Sequence, residues 1–309
     1  MSNLKMYFIS SVVILLTTWF IYELYTTNQK ENFSGYQNKE FNLPYNVSTP
    51  DSVYVMPKEL TEISALSFQN PDQVFTVNDE KALLYSYDLA SEKITSKIDF
   101  GKRGDYESVA CIGNIVYVSE SNGNLKVVDV QLGEKIDELD TPLSSKNNVE
   151  GLCFDESKNQ LLIACKGDLL KKEKGSNARG IYSYDLANNK FNKDPFRLIN
   201  LNKESKNLAA FNLGTDHLSK FSSTARLESF APSAVEINPI SKNIFMLSSR
   251  GRTMIVMNAN KELLGIYFLS SSVFRQPEGI AFNDVGDMFI SNEGRSKKGN
   301  ILKFARTNN

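Results

Sequence analysis

One pattern recurs five times along this chain and leaves few folds open to it. A polar residue opens a short apolar stretch: Ser64-Ala65-Leu66-Ser67-Phe68, Glu107-Ser108-Val109-Ala110, Glu150-Gly151-Leu152-Cys153-Phe154, Ser233-Ala234-Val235-Glu236-Ile237 and Glu278-Gly279-Ile280-Ala281-Phe282. The opening residues lie 43, 43, 83 and 45 residues apart. Short strands repeating every 40 to 50 residues or so are the mark of a β-propeller, one sheet per repeat. The long gap holds one period plus an insertion, or two periods with one degenerate.

Each repeat continues alike. A second apolar run follows, such as Val74-Phe75-Thr76-Val77 or Ile115-Val116-Tyr117-Val118, and ends on a polar residue: Asp79, Glu120, Lys166, Ser249 or Glu293. A third run alternates, as in Leu83-Leu84-Tyr85-Ser86-Tyr87, which puts one set of side chains on each sheet face. Fourth strands are read at Lys93 to Phe100 and Leu263 to Leu269, with Asn, Asp and Gly at the joints. The last repeat stops at Phe304 without a fourth strand, and Ser52-Val53-Tyr54-Val55-Met56 is the candidate to supply it and remove a free edge. The expected fold is all-β, a five-bladed propeller over 51–309, with six blades as the alternative. The insertion is placed at 202–229, as one or two short surface helices, read either as a decorative loop or as a lid over the channel.

With 41% hydrophobic residues, roughly 260 residues can bury one large core as a single domain. Net charge is −1 and no stripe of Lys or Arg with interleaved aromatics appears, so nucleic acid is not an expected partner. The short run Lys171-Lys172-Glu173-Lys174 reads as a solvated loop. Three cysteines make no disulfide framework; Cys153 and Cys165 read as small buried hydrophobes, and Cys111 has no mate.

The N-terminus is of another kind. Met6 to Tyr22 carries no charge, follows Lys5 and precedes Glu23. It is long enough to span a bilayer with slight help from its flanks, and Trp19, Tyr22 and Tyr25 suit an interface. The place where a signal peptide would be cut holds Trp19-Phe20-Ile21-Tyr22-Glu23, a poor site. Residues 1–25 are therefore read as an uncleaved transmembrane anchor, with the propeller on the extracytoplasmic side. Residues 26–50, polar and without period, are read as a flexible tether.

In a propeller the first strand of every blade lines the central channel, so equivalent positions converge on the axis. The openers Glu107, Glu150 and Glu278 would then crowd three carboxylates into one end. Like charges that close either take up protons or gather a cation. Oxygen donors without His or Cys suit Ca2+. Glu120 and Glu293 are read as further ligands or as support, and Lys166 as a rival that neutralises Glu150. The plainer alternative is that such residues cap backbone N–H groups or bridge blades.

The motifs Tyr106-Glu107-Ser108-Val109-Ala110, Val149-Glu150-Gly151-Leu152-Cys153-Phe154, Gln276-Pro277-Glu278-Gly279-Ile280-Ala281-Phe282, Phe230-Ala231-Pro232-Ser233-Ala234 and Ile290-Ser291-Asn292-Glu293-Gly294 resemble those of the SdiA-regulated, YjiK-like propellers, distant relatives of NHL-repeat propellers. The resemblance covers about 45–306. It implies five blades, a calcium site and a bacterial envelope location, and it carries the calcium role to Glu107, Glu150 and Glu278, and less directly to Glu120 and Glu293.

The resulting expectation is a membrane-anchored, non-enzymatic, calcium-binding propeller that recognises an envelope protein or small ligand. The alternative is a calcium-dependent hydrolase resembling lactonase or arylesterase propellers. The single histidine, His217, falls in the insertion, and neither a Gly-x-Ser-x-Gly elbow nor a His-Glu-x-x-His is present. Arg103-Gly104-Asp105 reads as a turn, and the Asn32 and Asn46 glycosylation patterns mean little in a bacterial protein, which the resemblance implies.

Overall fold

Runs of β-branched and aromatic residues punctuated by Asn, Asp and Gly give strands joined by tight turns, and the chain forms five antiparallel sheets in sequence. The computed structural model describes residues 35–307, except 39, 172–176 and 211–216. Blade one comprises Ser67–Asn70, Gln73–Asn78, Lys81–Asp88 and Lys93–Asp99; blade two, Tyr106–Ile112, Ile115–Glu120, Leu125–Asp129 and Glu134–Leu139. Blade three comprises Val149–Asp155, Gln160–Cys165, Ala178–Asp185 and Lys190–Asn200. Blade four is Ala234–Ile237, Ile244–Ser248, Thr253–Met257 and Leu263–Phe268. Blade five takes Pro277–Phe282, Met288–Asn292 and Asn300–Phe304, and Ser52–Val55 completes it by pairing with Asn300–Phe304. The ring closes as the sequence predicts, with five blades and not six.

Five apolar clusters fill the five gaps between blades. One joins blades one and two through Phe75, Val77, Val109 and Val118, and another joins blades two and three through Leu125, Leu152, Leu161 and Tyr182. The last joins five back to one through Phe289, Ile301, Leu66 and Tyr85. Each blade thus has both faces covered, which explains why the second strands read as unbroken apolar runs.

The inner strands approach one another closely enough for small polar side chains to bridge them. Ser67 Oγ accepts the Cys111 N–H and Ser108 Oγ accepts the Leu152 N–H, both at 2.9 Å. A Cβ on Gly279 would sit 2.9 Å from the carbonyl carbon of Ala65 in the next blade, so glycine is required there by space alone.

The long gap contains helices Leu201–Ala210 and His217–Glu228, between blades three and four. Leu201, Leu227 and Phe230 enter the apolar cluster shared by those blades. Arg226 fixes the second helix: its Nε donates to the Gly251 carbonyl at 2.6 Å, and Nη2 donates to those of Arg252 and Leu269 at 2.7 and 2.9 Å. The side chain of His217 and the reading of this insertion as a lid lie outside the described residues.

The segment read as a tether does not stay apart from the propeller throughout. Gly35–Gln37 pairs with Leu263–Phe268 as a fifth strand on blade four, and Tyr45 is buried, donating its hydroxyl to the Gly286 carbonyl at 2.6 Å. A three-residue strand in a polar stretch carries no period for a sequence reading to find. The expected span Met6 to Tyr22 lies outside the described residues, and among the described residues no helix is long and apolar enough to cross a membrane. All three cysteines are free; in the register of blade three Cys165 stands opposite Val149 and Cys153 opposite Leu162, so they do not face each other.

Candidate functional site

The three glutamates share one local device. In blades two, three and five the pairing of the first and second strands slips by one residue at the glutamate: Tyr106 pairs with Glu120 and Ser108 with Ser119; Val149 with Cys165 and Gly151 with Ala164; Pro277 with Asn292 and Gly279 with Ser291. Glu107, Glu150 and Glu278 are the residues skipped. A bulge of this kind frees a residue from the ladder and re-aims its side chain. Here it does so at the start of an inner strand, at the same end of the ring in all three blades.

The side chains meet electrostatically. Burial, followed by the charges of Glu150, Asp105 and Glu278, pushes the Glu107 carboxyl up to about 10. Burial raises Glu150 to about 7, with Glu278 adding to it and Lys166 opposing it. Burial raises Glu278 as well, while Lys166, Gln276 and Ser249 act the other way. Lys166 Nζ donates to Glu150 Oε1 at 2.6 Å, and the Asn148 amide donates to the same oxygen at 2.8 Å. Burial works against the Lys166 charge, but Glu150, Glu278 and Glu107 together hold its pKa above the ordinary value. The two serine openers are satisfied differently. Ser233 donates across to the Pro277 carbonyl of the next blade at 2.8 Å, and Ser64 to the Glu62 carbonyl at 3.3 Å. The bridging role considered for all five openers thus belongs to Ser233; the Glu107 carboxyl has no hydrogen-bond partner among the described residues.

Of the two further expected ligands, one joins this group. Burial, then Glu278, Asp79 and Glu62, lift Glu293 to about 7, and its carboxylate accepts from the Gln276 amide. Burial and Glu62 likewise lift Asp79 to about 6. Glu120 is engaged elsewhere, with Lys126 Nζ at 3.4 Å from its carboxylate and Glu138 on the same ammonium.

Sequence reasoning passed over Asp105, Asn148 and Gln276, all of which bear on the cluster. They occupy one equivalent position, two residues before each glutamate, and Glu62 stands at the same place before Ser64. The period that located the openers, applied two residues earlier, finds them.

As a donor set these carboxylates suit a hard divalent cation: they are oxygen donors, shielded from water, in excess over the positive charge beside them. Among the described residues, no group of three or more His, Cys, Asp or Glu side chains is arranged to hold a metal ion. In the arrangement seen, the Lys166 ammonium stands among the carboxylates and the Arg295 charge also bears on Glu278 and Glu293.

The sequence profile of the SdiA-regulated family matches residues 54–295, most of the ring of blades, with the glutamates of the acidic end inside it. The chain belongs to the SdiA-regulated family. No curated protein matches it. Among solved structures it is similar to the hydrazine synthase of Kuenenia stuttgartiensis, with a TM-score of 0.42 and 15% identity over 79% of this chain and 58% of that one. It is similar also to a chain of a mitotic checkpoint complex, with a TM-score of 0.48 and 11% identity over 89% of this chain and 99% of that one. The chain therefore spans little more than half the length of the hydrazine synthase chain, and neither likeness bears on what it binds.

Proposed function

We propose that this SdiA-regulated propeller is a membrane-anchored, exported binding module of a bacterial cell envelope, and that the acidic end of its channel takes up Ca2+. The observation that supports the cation is the convergence of Glu107, Glu150 and Glu278, which come from three separate blades, are left out of their ladders by three equivalent bulges, and bear on one another's charge. Glu107, Glu150 and Glu278 would hold the ion, with Glu293 and Gln276 beside them. Bound there, the ion supplies fixed positive charge in place of protons and of part of the Lys166 charge. The uncharged stretch Met6 to Tyr22 supports the anchor.

The test is thermal melting of the full chain in detergent, with calcium and with a chelator. A ligand bound only by the folded state raises apparent stability by RT ln(1 + [L]/Kd), about 2.7 kcal/mol at a hundredfold excess over Kd. That corresponds to roughly 5–10 °C for a domain of this size. The expected result is an upward shift with calcium that disappears in the triple variant Glu107→Gln/Glu150→Gln/Glu278→Gln. A melting temperature indifferent to calcium in the parent protein removes the proposal. The same preparation, assayed on a panel of lactones and aryl esters, separates the binding module from the hydrolase: turnover lost in Glu107→Gln with folding intact would replace the former by the latter.

A further inference from the structure

The other end of the channel is built differently. The residues that close the inner strands form a cavity of about 610 Å³, within the range of small-molecule sites. Its lining combines apolar and aromatic residues, Phe68, Phe154, Ile237 and Phe282 from blades one, three, four and five and Cys111 from blade two, with polar and charged side chains. Glu236 stands in that wall. Aligned on the five repeats, its position is Ser67, Ala110, Cys153 and Ala281 in the other four blades. Small residues satisfy the packing there, and only blade four carries a carboxylate.

That carboxylate has little company. One oxygen accepts the Ile237 N–H at 2.8 Å, and Glu236 has no ion pair among the described residues. Burial pushes it up to about 8, and no charged neighbour contributes. The charged groups lining the cavity are Asp155, Glu156, Lys158, Lys242 and Asp284, so acids outnumber lysines. Asp155 is already held by Ser157 and Gln160. An unpaired carboxyl among aromatic rings regains its ionised form when a cation is placed on it, and ring faces themselves attract cations. Among the described residues, the carboxylates of this lining are not grouped to hold a bare metal ion, and an anion would meet more acids than lysines. An apolar body ending in one ammonium satisfies both the walls and the charge.

We propose that this mouth is a second ligand site, independent of the acidic ring, for a small organic amine with an aromatic or aliphatic body, its ammonium set on Glu236. Because burial favours the neutral form of the free carboxyl, seating an ammonium on it favours proton release, and binding tightens as pH rises toward 8.

Phenethylamine is a suitable probe, with phenethyl alcohol as its neutral counterpart, titrated by calorimetry into the full chain in two buffers of different ionisation enthalpy. Cys111 reports the location, since Cys153 and Cys165 are buried. The expected result is binding of the amine with proton release, at least tenfold tighter than the alcohol, and slower maleimide modification of Cys111 when the amine is bound. Glu236→Gln should abolish the preference for the amine and the proton release while leaving the alcohol's affinity in place, which also shows that the variant is folded. The proposal fails if the amine does not bind, if Glu236→Gln binds it as tightly as the parent, or if Cys111 reacts equally fast with and without it.

Discussion

Lys166 is the residue on which the acidic end turns. Among the described residues its ammonium is the one positive charge paired with Glu150, whose side chain is only 4% exposed. Removing one partner of a buried pair leaves the other uncompensated, at a cost of about 3–5 kcal/mol; partial exposure of Lys166 puts the expected loss at the lower end. Lys166→Met should therefore melt well below the parent in chelator and recover most of the difference in calcium, because the ion then has no built-in competitor. Loss without recovery would show that Lys166 serves only to hold the fold. The glutamates give a separate prediction in pH. A carboxyl raised in the folded state binds more protons there than in the unfolded chain. Its stabilising effect is complete below the ordinary value of 4.5 and is lost as pH rises through the folded value, about 7 for Glu150 and about 10 for Glu107. In chelator, the melting temperature should fall steadily from about pH 5 to about pH 10. Glu107→Gln, which keeps the shape and drops the ionisation, should flatten that fall. A profile that rises with pH would contradict the sign of these shifts.

At the scale of single elements, what holds the site in place is the close passage of inner strands. Gly279 follows Glu278 directly, and a methyl group there meets Ser291 Oγ as well as the backbone of the next blade. Gly279→Ala should destabilise by about 1–3 kcal/mol, the usual cost of overpacking, and should weaken calcium binding because the bulge carrying Glu278 must shift. The helical insertion makes a second case. Arg226 satisfies three backbone carbonyls and lies over the Phe268 ring at 4.8 Å. Arg226→Ala should open the insertion to limited proteolysis between 200 and 230 while the blades remain intact. The inner blade strands, the closing strand at Ser52–Val55 and the helices of the long gap are legible in the sequence from their apolar residues, whereas the largely polar fourth strands Glu134–Leu139 and Lys190–Asn200 are not. Gly35–Gln37 is not, because backbone pairing along an existing edge needs no side-chain pattern. The bulges are not legible either: they are facts of register, visible only once two strands are laid side by side. Glu236 hides for a third reason, sitting inside an apolar run where a carboxylate looks like an interruption.

For the whole molecule, a repeat near 43 residues decides the architecture, and the architecture decides which distant residues meet. Glu107, Glu150 and Glu278 are separated by more than a hundred residues in total, yet ring closure brings them to one end of the channel, while Glu236 goes to the other. The sequence reading located the first group because five equivalent positions can be compared without coordinates. It does not show the neighbourhood of Glu120, whose partner Lys126 comes from the third strand of the same blade and belongs to no repeat-wide pattern. The most direct measurement is calorimetric titration of calcium into the metal-free full chain at pH 7, repeated in two buffers of different ionisation enthalpy. The expected result is one ion bound with net proton release, both lost in the Glu107→Gln/Glu150→Gln/Glu278→Gln variant; binding without proton release, or binding that survives the triple substitution, would contradict it.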